Sequence, residues 1–299
     1  MKSHPQLFEI ASQHGMQGGE FGVVNVATIP QLSPFRYPGG KTWLIPEVRS
    51  WLANLPQKPE IFIEPFAGGG IVSLTVVTEN LAHRALMAEL DENVAAVWNV
   101  ILEDADWLIN RILKFDIKLE QVVNILSLPP TNINERAFQT ILRNRVQRGG
   151  ILAPGASLMK SGENGKGIAS RWYPKTLASR IKHIYENKDR ITFIHGDGIE
   201  VINNYLDNPN VAFFIDPPYT AGGKKAGKRL YSHNELDHSN LFALMAEVKG
   251  NFLITYDDSD EVENMARNNG FFIRKVLMKN THNRKMYELL IEPEATRSL

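Results

Sequence analysis

Ile61-Phe62-Ile63-Glu64-Pro65-Phe66-Ala67-Gly68-Gly69-Gly70 decides the fold, together with Ala85-Leu86-Met87-Ala88-Glu89 a short way on. Ile61 to Ile63 is a short apolar run of the buried-strand kind. It passes directly into a glycine cluster, and a helix is expected over 71–81. Ala85 to Ala88 reads as a second strand, ending at Glu89. Asp91 is placed to cap a third segment carrying Val94, Val97, Trp98 and Ile101 at helical spacing. Strand, helix, strand, helix in this rhythm predicts a parallel sheet covered by helices.

Working outward, residues 1–33 show little periodicity and read as an N-terminal extension. A turn-rich loop, Pro34-Phe35-Arg36-Tyr37-Pro38-Gly39-Gly40-Lys41, precedes an amphipathic helix over 42–55. From about 105 to 185 the rhythm breaks. Helical patterns are expected over 107–126, 134–148 and 174–187, with a Gly-rich basic stretch from Gly149 to Arg171. The rhythm then resumes with strands at 191–194, 211–215 and 252–256 and helices between them. Two last strands, 271–278 and 285–291, flank a gap of hairpin length, so the parallel sheet should end in an antiparallel hairpin.

Composition narrows the classes. The chain has 299 residues and 43% hydrophobic content, enough for one large domain or a catalytic domain with an insert. Net charge is zero, which excludes a uniformly basic nucleic-acid binder but not a local basic face. There is no cysteine, so disulfides, thiolate metal sites and cysteine nucleophiles are excluded. No apolar run approaches a membrane span, and the first residues carry no signal-peptide pattern; a cytoplasmic enzyme is expected. His233, His238 and His282 lack a metal-ligand spacing, so no metal site is expected.

A glycine cluster between strand and helix lets a ligand approach the backbone and meet the helix N–H groups. Gly68 and Gly70 fit the start of G-x-G-x-x-G, but Ser73 stands at its end. Glu89, about 20 residues on, suits ribose hydroxyls. That spacing serves a dinucleotide and an S-adenosyl nucleoside equally. No P-loop pattern is present.

Asp216-Pro217-Pro218-Tyr219 follows the apolar run Val211-Ala212-Phe213-Phe214-Ile215 and so falls at the carboxyl edge of the sheet, where open α/β sheets bind ligands. An adenine amino group is a poor nucleophile because its lone pair is delocalised. The Asp216 carboxylate and the Pro217 carbonyl, both accepting from that NH2, can draw the nitrogen towards sp3 character. Pro217 and Pro218 stiffen the loop, and Tyr219 offers a face for base stacking. The motif alone serves DNA adenine, RNA adenine or protein glutamine equally.

Taken together, these residues resemble the Dam-like class of DNA adenine N6-methyltransferases, from about Pro34 to the C-terminus. The resemblance rests on the Tyr37 to Lys41 and Glu64 to Gly70 loops, Asn144-Arg145 with Gly149, Arg171-Trp172-Tyr173-Pro174, the Asp216 to Tyr219 loop, Tyr231 with Asp237-His238, and Leu253-Ile254-Thr255-Tyr256-Asp257. It implies a Rossmann-like methyltransferase fold with a mixed sheet, split over 34–104 and 186–299. Residues 105–185 would form a mostly helical target-recognition subdomain. It implies S-adenosylmethionine as cofactor, with Tyr37, Gly40 and Lys41 against its methionine end. Glu64, Phe66, Gly68 and Gly70 would form its pocket, Glu89 would hold its ribose and Asp197 would lie near its adenine. Glu89 departs from the family, which usually has Asp there.

Between Glu135 and Lys182 ten basic residues face two acids, Glu135 and Glu163. Arg143, Asn144, Arg145, Arg148, Lys160, Lys166 and Arg171 are therefore expected at DNA. Lys224, Lys225 and Lys228 form a second basic run after the Asp216 loop. Both suit phosphate contacts. An adenine within a duplex must be flipped out to react, and loop 220–230 is expected to close over it. Double-stranded DNA is the expected partner, with a restriction endonuclease possible in the same system and a monomer the expected state. RNA or protein-glutamine methylation, or a catalytically silent DNA-binding protein, are the competing readings.

Overall fold

The computed structural model describes residues 28–36, 40–153, 155–218, 236–279 and 285–294. All seven strands expected from the sequence are present: β1 (Ile61–Glu64), β2 (Arg84–Glu89), β3 (Ile191–His195), β4 (Val211–Ile215), β5 (Asn251–Asp257), β6 (Phe271–Lys279) and β7 (Lys285–Pro293). They form one sheet in the order β3-β2-β1-β4-β5-β7-β6. The first five are parallel, and β7 runs antiparallel between β5 and β6. This is a Rossmann-like mixed sheet. β1 and β4 are neighbours, yet the chain leaves β1 towards β2 on one side and continues from β4 towards β5 on the other. The crevice at their carboxyl ends is thus the topological switch point.

Ten α-helices lie among the described residues: α1 (Ile45–Ala53), α2 (Ile71–Thr78), α3 (Glu92–Glu103), α4 (Ala105–Lys114), α5 (Leu119–Ser127), α6 (Ile133–Val146), α7 (Pro174–Glu186), α8 (Gly198–Asn204), α9 (His238–Glu247) and α10 (Asp260–Asn268). Their starts follow local chemistry. Asp91 caps α3 by accepting from the N–H groups of Asn93 and Val94, and Asp197 caps α8 by accepting from Ile199. Pro174 occupies the first turn of α7, where no N–H is needed.

The central strands β1, β2, β4 and β5 are buried on both faces, and the period-2 alternation sorts their side chains. Ile61, Ile63, Leu86, Phe213 and Ile215 face a cluster with Val201, Phe242 and Val262 of α8, α9 and α10. Phe62, Ala212 and Phe214 face α1 and α2 on the other side. Also on that side, Ala85 and Met87 join Trp98, Leu108, Phe138, Trp172 and Ile181. The helices of 105–185 therefore share one apolar cluster with α3 and β2.

The helix expected over 107–126 is two helices. Phe115 breaks it, with extended backbone at φ −75 and ψ 116. Its ring packs edge-on against Phe138 at 5.2 Å and Trp172 at 5.7 Å. Aromatic packing of this sort outweighs the few tenths of a kcal/mol that separate helix propensities. No described helix is long and apolar enough to cross a membrane.

Candidate active site

Four parallel strands deliver their C-terminal residues to one edge: Glu64 from β1, Glu89 from β2, Asp197 just past β3 and Asp216 just past β4. The glycine loop after β1 is tightly built. Gly70 has φ +60, and a Cβ there would lie 2.8 Å from the Trp98 ring, so only glycine fits. The Trp98 indole N–H donates to the Gly68 carbonyl at 3.0 Å. Glu89 Oε2 accepts from the Gly68 N–H at 2.9 Å and Oε1 from the Asp91 N–H at 2.9 Å, fastening the end of β2 to the loop. Burial raises the Glu89 pKa against those bonds. The Ser33 hydroxyl donates to the Gly69 carbonyl at 2.5 Å.

Ser73, the residue that spoils the dinucleotide fingerprint, has a clear role. Its N–H at 2.9 Å and its hydroxyl at 2.5 Å both reach Glu64 Oε2. Glu64 is buried. Burial pushes its pKa up to about 8, with Asp216 adding to the rise and the Ser73 bonds opposing it.

Asp216 lies against β5 and the 3-10 turn Lys41–Leu44. The Thr255 hydroxyl reaches its Oδ1 at 3.1 Å, and Lys41 Nζ lies 3.2 Å from the same oxygen. The Asp216 side chain keeps 23% of its surface exposed. Lys41 is buried and also pairs with Glu288 Oε1 at 2.6 Å. Burial alone would lower the lysine pKa; Asp216 and Glu288 more than offset this and raise it. Below them, Tyr256 Oη and His238 Nδ1 are 2.7 Å apart. Burial, with Asp216 adding to it, raises the Tyr256 pKa, and burial lowers that of His238. His238 thus orients α9 against β5.

Glu288 is absent from the sequence reading. It lies 247 residues from Lys41, and only the β5–β7 register, which pairs it with Asp257, brings it to the site. One sign was available: a lone acid entering the apolar run Leu289-Leu290-Ile291.

Of the residues expected at a cofactor, the structure gathers Glu64, Phe66, Gly68, Gly70, Glu89 and Asp197 at one edge. Gly198, next to Asp197, lies so close to the glycine loop that a Cβ would meet the Pro65 carbonyl at 2.4 Å and the Phe66 ring at 3.0 Å. Gly40 is exposed before the Lys41 turn. Pro217 is buried and Pro218 half-buried. Tyr37, Tyr219, Tyr231, Lys224, Lys225 and Lys228, with the loop expected to close, lie outside the described residues.

The family model for D12 class N6 adenine-specific DNA methyltransferases matches residues 37–283. The chain belongs to that family. It is 23% identical over 291 residues to the Type II methyltransferase M.MjaIII of Methanocaldococcus jannaschii, covering 87% of this chain and 99% of that one. Solved structures similar to it include the rRNA methyltransferase aviRa of Streptomyces viridochromogenes, at TM-score 0.39 and 12% identity over 86% of each chain. Another is a putative RNA methyltransferase, PH1948, of Pyrococcus horikoshii, at TM-score 0.38 and 11% identity over 86% of this chain and 84% of that one.

In this D12-class chain the basic stretch divides. Arg148, Lys160 and Lys166 are exposed, and Arg143 is half-buried. Asn144 and Arg145, expected on the DNA surface, are instead interior. The Asn144 amide clamps Arg36, accepting from its N–H at 2.8 Å and donating to its carbonyl at 3.0 Å. Arg145 donates to the Pro34 carbonyl at 2.5 Å. Both hold the loop before Tyr37 because its carbonyls, once buried, require donors. Arg171 pairs with Glu163.

Proposed function

We propose that this chain is a site-specific DNA adenine N6-methyltransferase that draws its methyl group from S-adenosylmethionine and acts on an adenine turned out of the duplex. One observation carries the reading. Asp216 sits at the switch point, one strand away from Glu64 and the glycine loop, still partly exposed.

The glycine-loop residues fit the cofactor. The left-handed turn at Gly68 and Gly70 admits a ligand to the backbone, and Glu64, Glu89 and Asp197 offer acceptors for an amine and for ribose hydroxyls. When bound, S-adenosylmethionine supplies an electrophilic sulfonium methyl. The chain's own work is to present the nitrogen. Asp216 accepts one N–H of the adenine amino group and the Pro217 carbonyl the other. As the amino nitrogen took the methyl, the carbon–sulfur bond would break to leave a neutral thioether, and the proton then shed by the nitrogen would pass to Asp216 beside it. Positioning of this kind contributes much of the rate in such a transfer. Lys41 and Thr255 hold Oδ1 and so fix the direction of the carboxylate.

Residues 34–104 and 186–299 form the catalytic part in this proposal, and 105–185 reads the target, with Arg143, Arg148, Lys160 and Lys166 meeting phosphates. The protein acts as a monomer, alongside a restriction endonuclease of matching specificity. The test is to incubate the protein with methyl-labelled cofactor and unmethylated duplex DNA, RNA or protein, and to digest and identify the product. N6-methyladenine in DNA is expected. Label confined to RNA or glutamine would refute the assignment.

A further inference from the structure

Four guanidinium groups converge where the loop before Lys41 meets α6 and α7. They belong to Arg36, Arg145, Arg171 and Arg180. Each of the other three lowers the pKa of Arg145 by its positive charge. Glu163 is the carboxylate bonded to them, pairing with Arg36 at 3.4 Å and with Arg171. The other two arginines are held by neutral groups. Arg145 donates to the Pro34 carbonyl at 2.5 Å and Arg180 to the Ser33 carbonyl at 2.9 Å. Four positive charges thus face one negative charge.

The imbalance is partly buried, which is the costly arrangement. Arg145 is 4% exposed, and its Nε has no hydrogen-bond partner among the described residues. Arg36 Nη1 and Arg171 Nε are likewise unmatched. Burial, then the neighbouring guanidiniums, lower the Arg145 pKa to about 9, so the group stays charged at neutral pH. Supporting two carbonyls needs donors but not an excess of three charges. The geometry around the cluster is also deliberate. Gly150, at φ +75, lets the Arg36 carbonyl pass where a Cβ would lie 2.4 Å from it. Tyr173, left-handed at φ +41 and 54% exposed, stands beside the cluster. Such strain costs about 1–2 kcal/mol and is concentrated at binding sites.

We propose that the half-buried Arg36, Arg171 and Arg180, backed from the interior by the charge of Arg145, form a phosphate site that takes one backbone phosphate of the DNA strand, Glu163 being the counter-charge that the phosphate displaces from Arg36 and Arg171. This rests on the reading of the chain as a DNA methyltransferase and gives it a specific backbone contact. The link to the active site is covalent and short. Ser33, in the same loop, holds Gly69 of the glycine loop, and Lys41, five residues after Arg36, holds Asp216. A phosphate on the cluster therefore docks the strand against the loop that frames the catalytic acid.

The experiment measures binding of a random-sequence duplex as a function of salt, for the full chain and two variants. Cofactor affinity is measured separately without DNA. Arg171→Gln should weaken DNA binding about tenfold and lower the slope of log K against log salt by about 1. Glu163→Gln should do the reverse, tightening binding about threefold and steepening the slope, because it frees two guanidiniums for the phosphate. A purely structural Glu163 would not produce a gain. Both variants should keep wild-type cofactor affinity. Unchanged DNA affinity and slope in both, while the wild type methylates DNA, would overturn the phosphate site and leave the proposed function standing. Loss of cofactor affinity in Arg171→Gln without DNA would overturn it in favour of the cofactor carboxylate. A wild type that neither binds nor methylates DNA would overturn both.

Discussion

Two charged clusters involve the residues on either side of Tyr37 to Gly39, and their net charges are opposite in sign. At the sheet edge two carboxyl groups, Asp216 and Glu288, hold one buried lysine, Lys41, and a third, Glu64, lies close enough to Asp216 to feel its charge. At the α6–α7 end four guanidiniums lie together, and one glutamate, Glu163, pairs with two of them, Arg36 and Arg171. The first is nearly balanced from within. Lys41 offsets one of the two charges on Asp216 and Glu288, leaving a single net negative charge, and Glu64 holds its proton well above the usual carboxylate range. The second keeps an excess of three positive charges among the described residues, Glu163 being its one carboxylate. A cluster balanced to within one charge serves to fix a carboxylate in place; one with three positive charges in excess suits an anion from elsewhere. The two suit the two halves of a nucleotide, the amino group of a base and the phosphate of its backbone.

Removing the cation from the balanced cluster should give the larger effect. Lys41→Met leaves Glu288 and Asp216 without their shared counter-charge and should destabilise the fold by about 3–5 kcal/mol, as for other buried pairs broken on one side. Urea unfolding checks this. Adding Glu288→Gln to Lys41→Met should restore part of the loss, and no restoration would mean that the two are not coupled as described.

A pH-dependent effect, at most comparable in size, is expected from Glu64→Gln. Folded, Glu64 keeps its proton up to about pH 8; unfolded, it releases it near 4.5. The folded state therefore binds more protons between these values, and wild-type stability falls as pH rises through that window. The glutamine variant lacks this loss. Its stability relative to wild type should rise between pH 5 and 8 by about 1.4 kcal/mol per pH unit at most, and should be level below pH 4.5. A pH-independent difference in Tm would place the Glu64 proton elsewhere.

Much of this molecule is local in its causes. The five parallel strands are legible because each is a short apolar run closed by Gly, Asp or Glu, and α3 because Asp91 stands one residue before its first turn. The Asp216 loop is legible for the same reason: strand and motif are contiguous. What stayed hidden depends on distant contacts. Phe115 leaves the helical pattern because Phe138 and Trp172 take its ring. Arg145 reads as a surface base beside Arg143 and Arg148, yet the turn of α6 points it at the Pro34 carbonyl. Glu288 is a catalytic neighbour only by strand register. Charge counted along the chain located the basic region but not which arginines lie inside.

The assignment of Asp216 is the centre of the chemistry, and one substitution tests it. Asp216→Asn keeps size and hydrogen bonding to Thr255 but removes the charge that accepts the amino proton. Methyl transfer to duplex DNA should fall by at least about 100-fold, the range expected for loss of an acid–base group, while the affinity for S-adenosylmethionine stays within a few-fold of wild type. Transfer at the wild-type rate by the asparagine variant would contradict the mechanism.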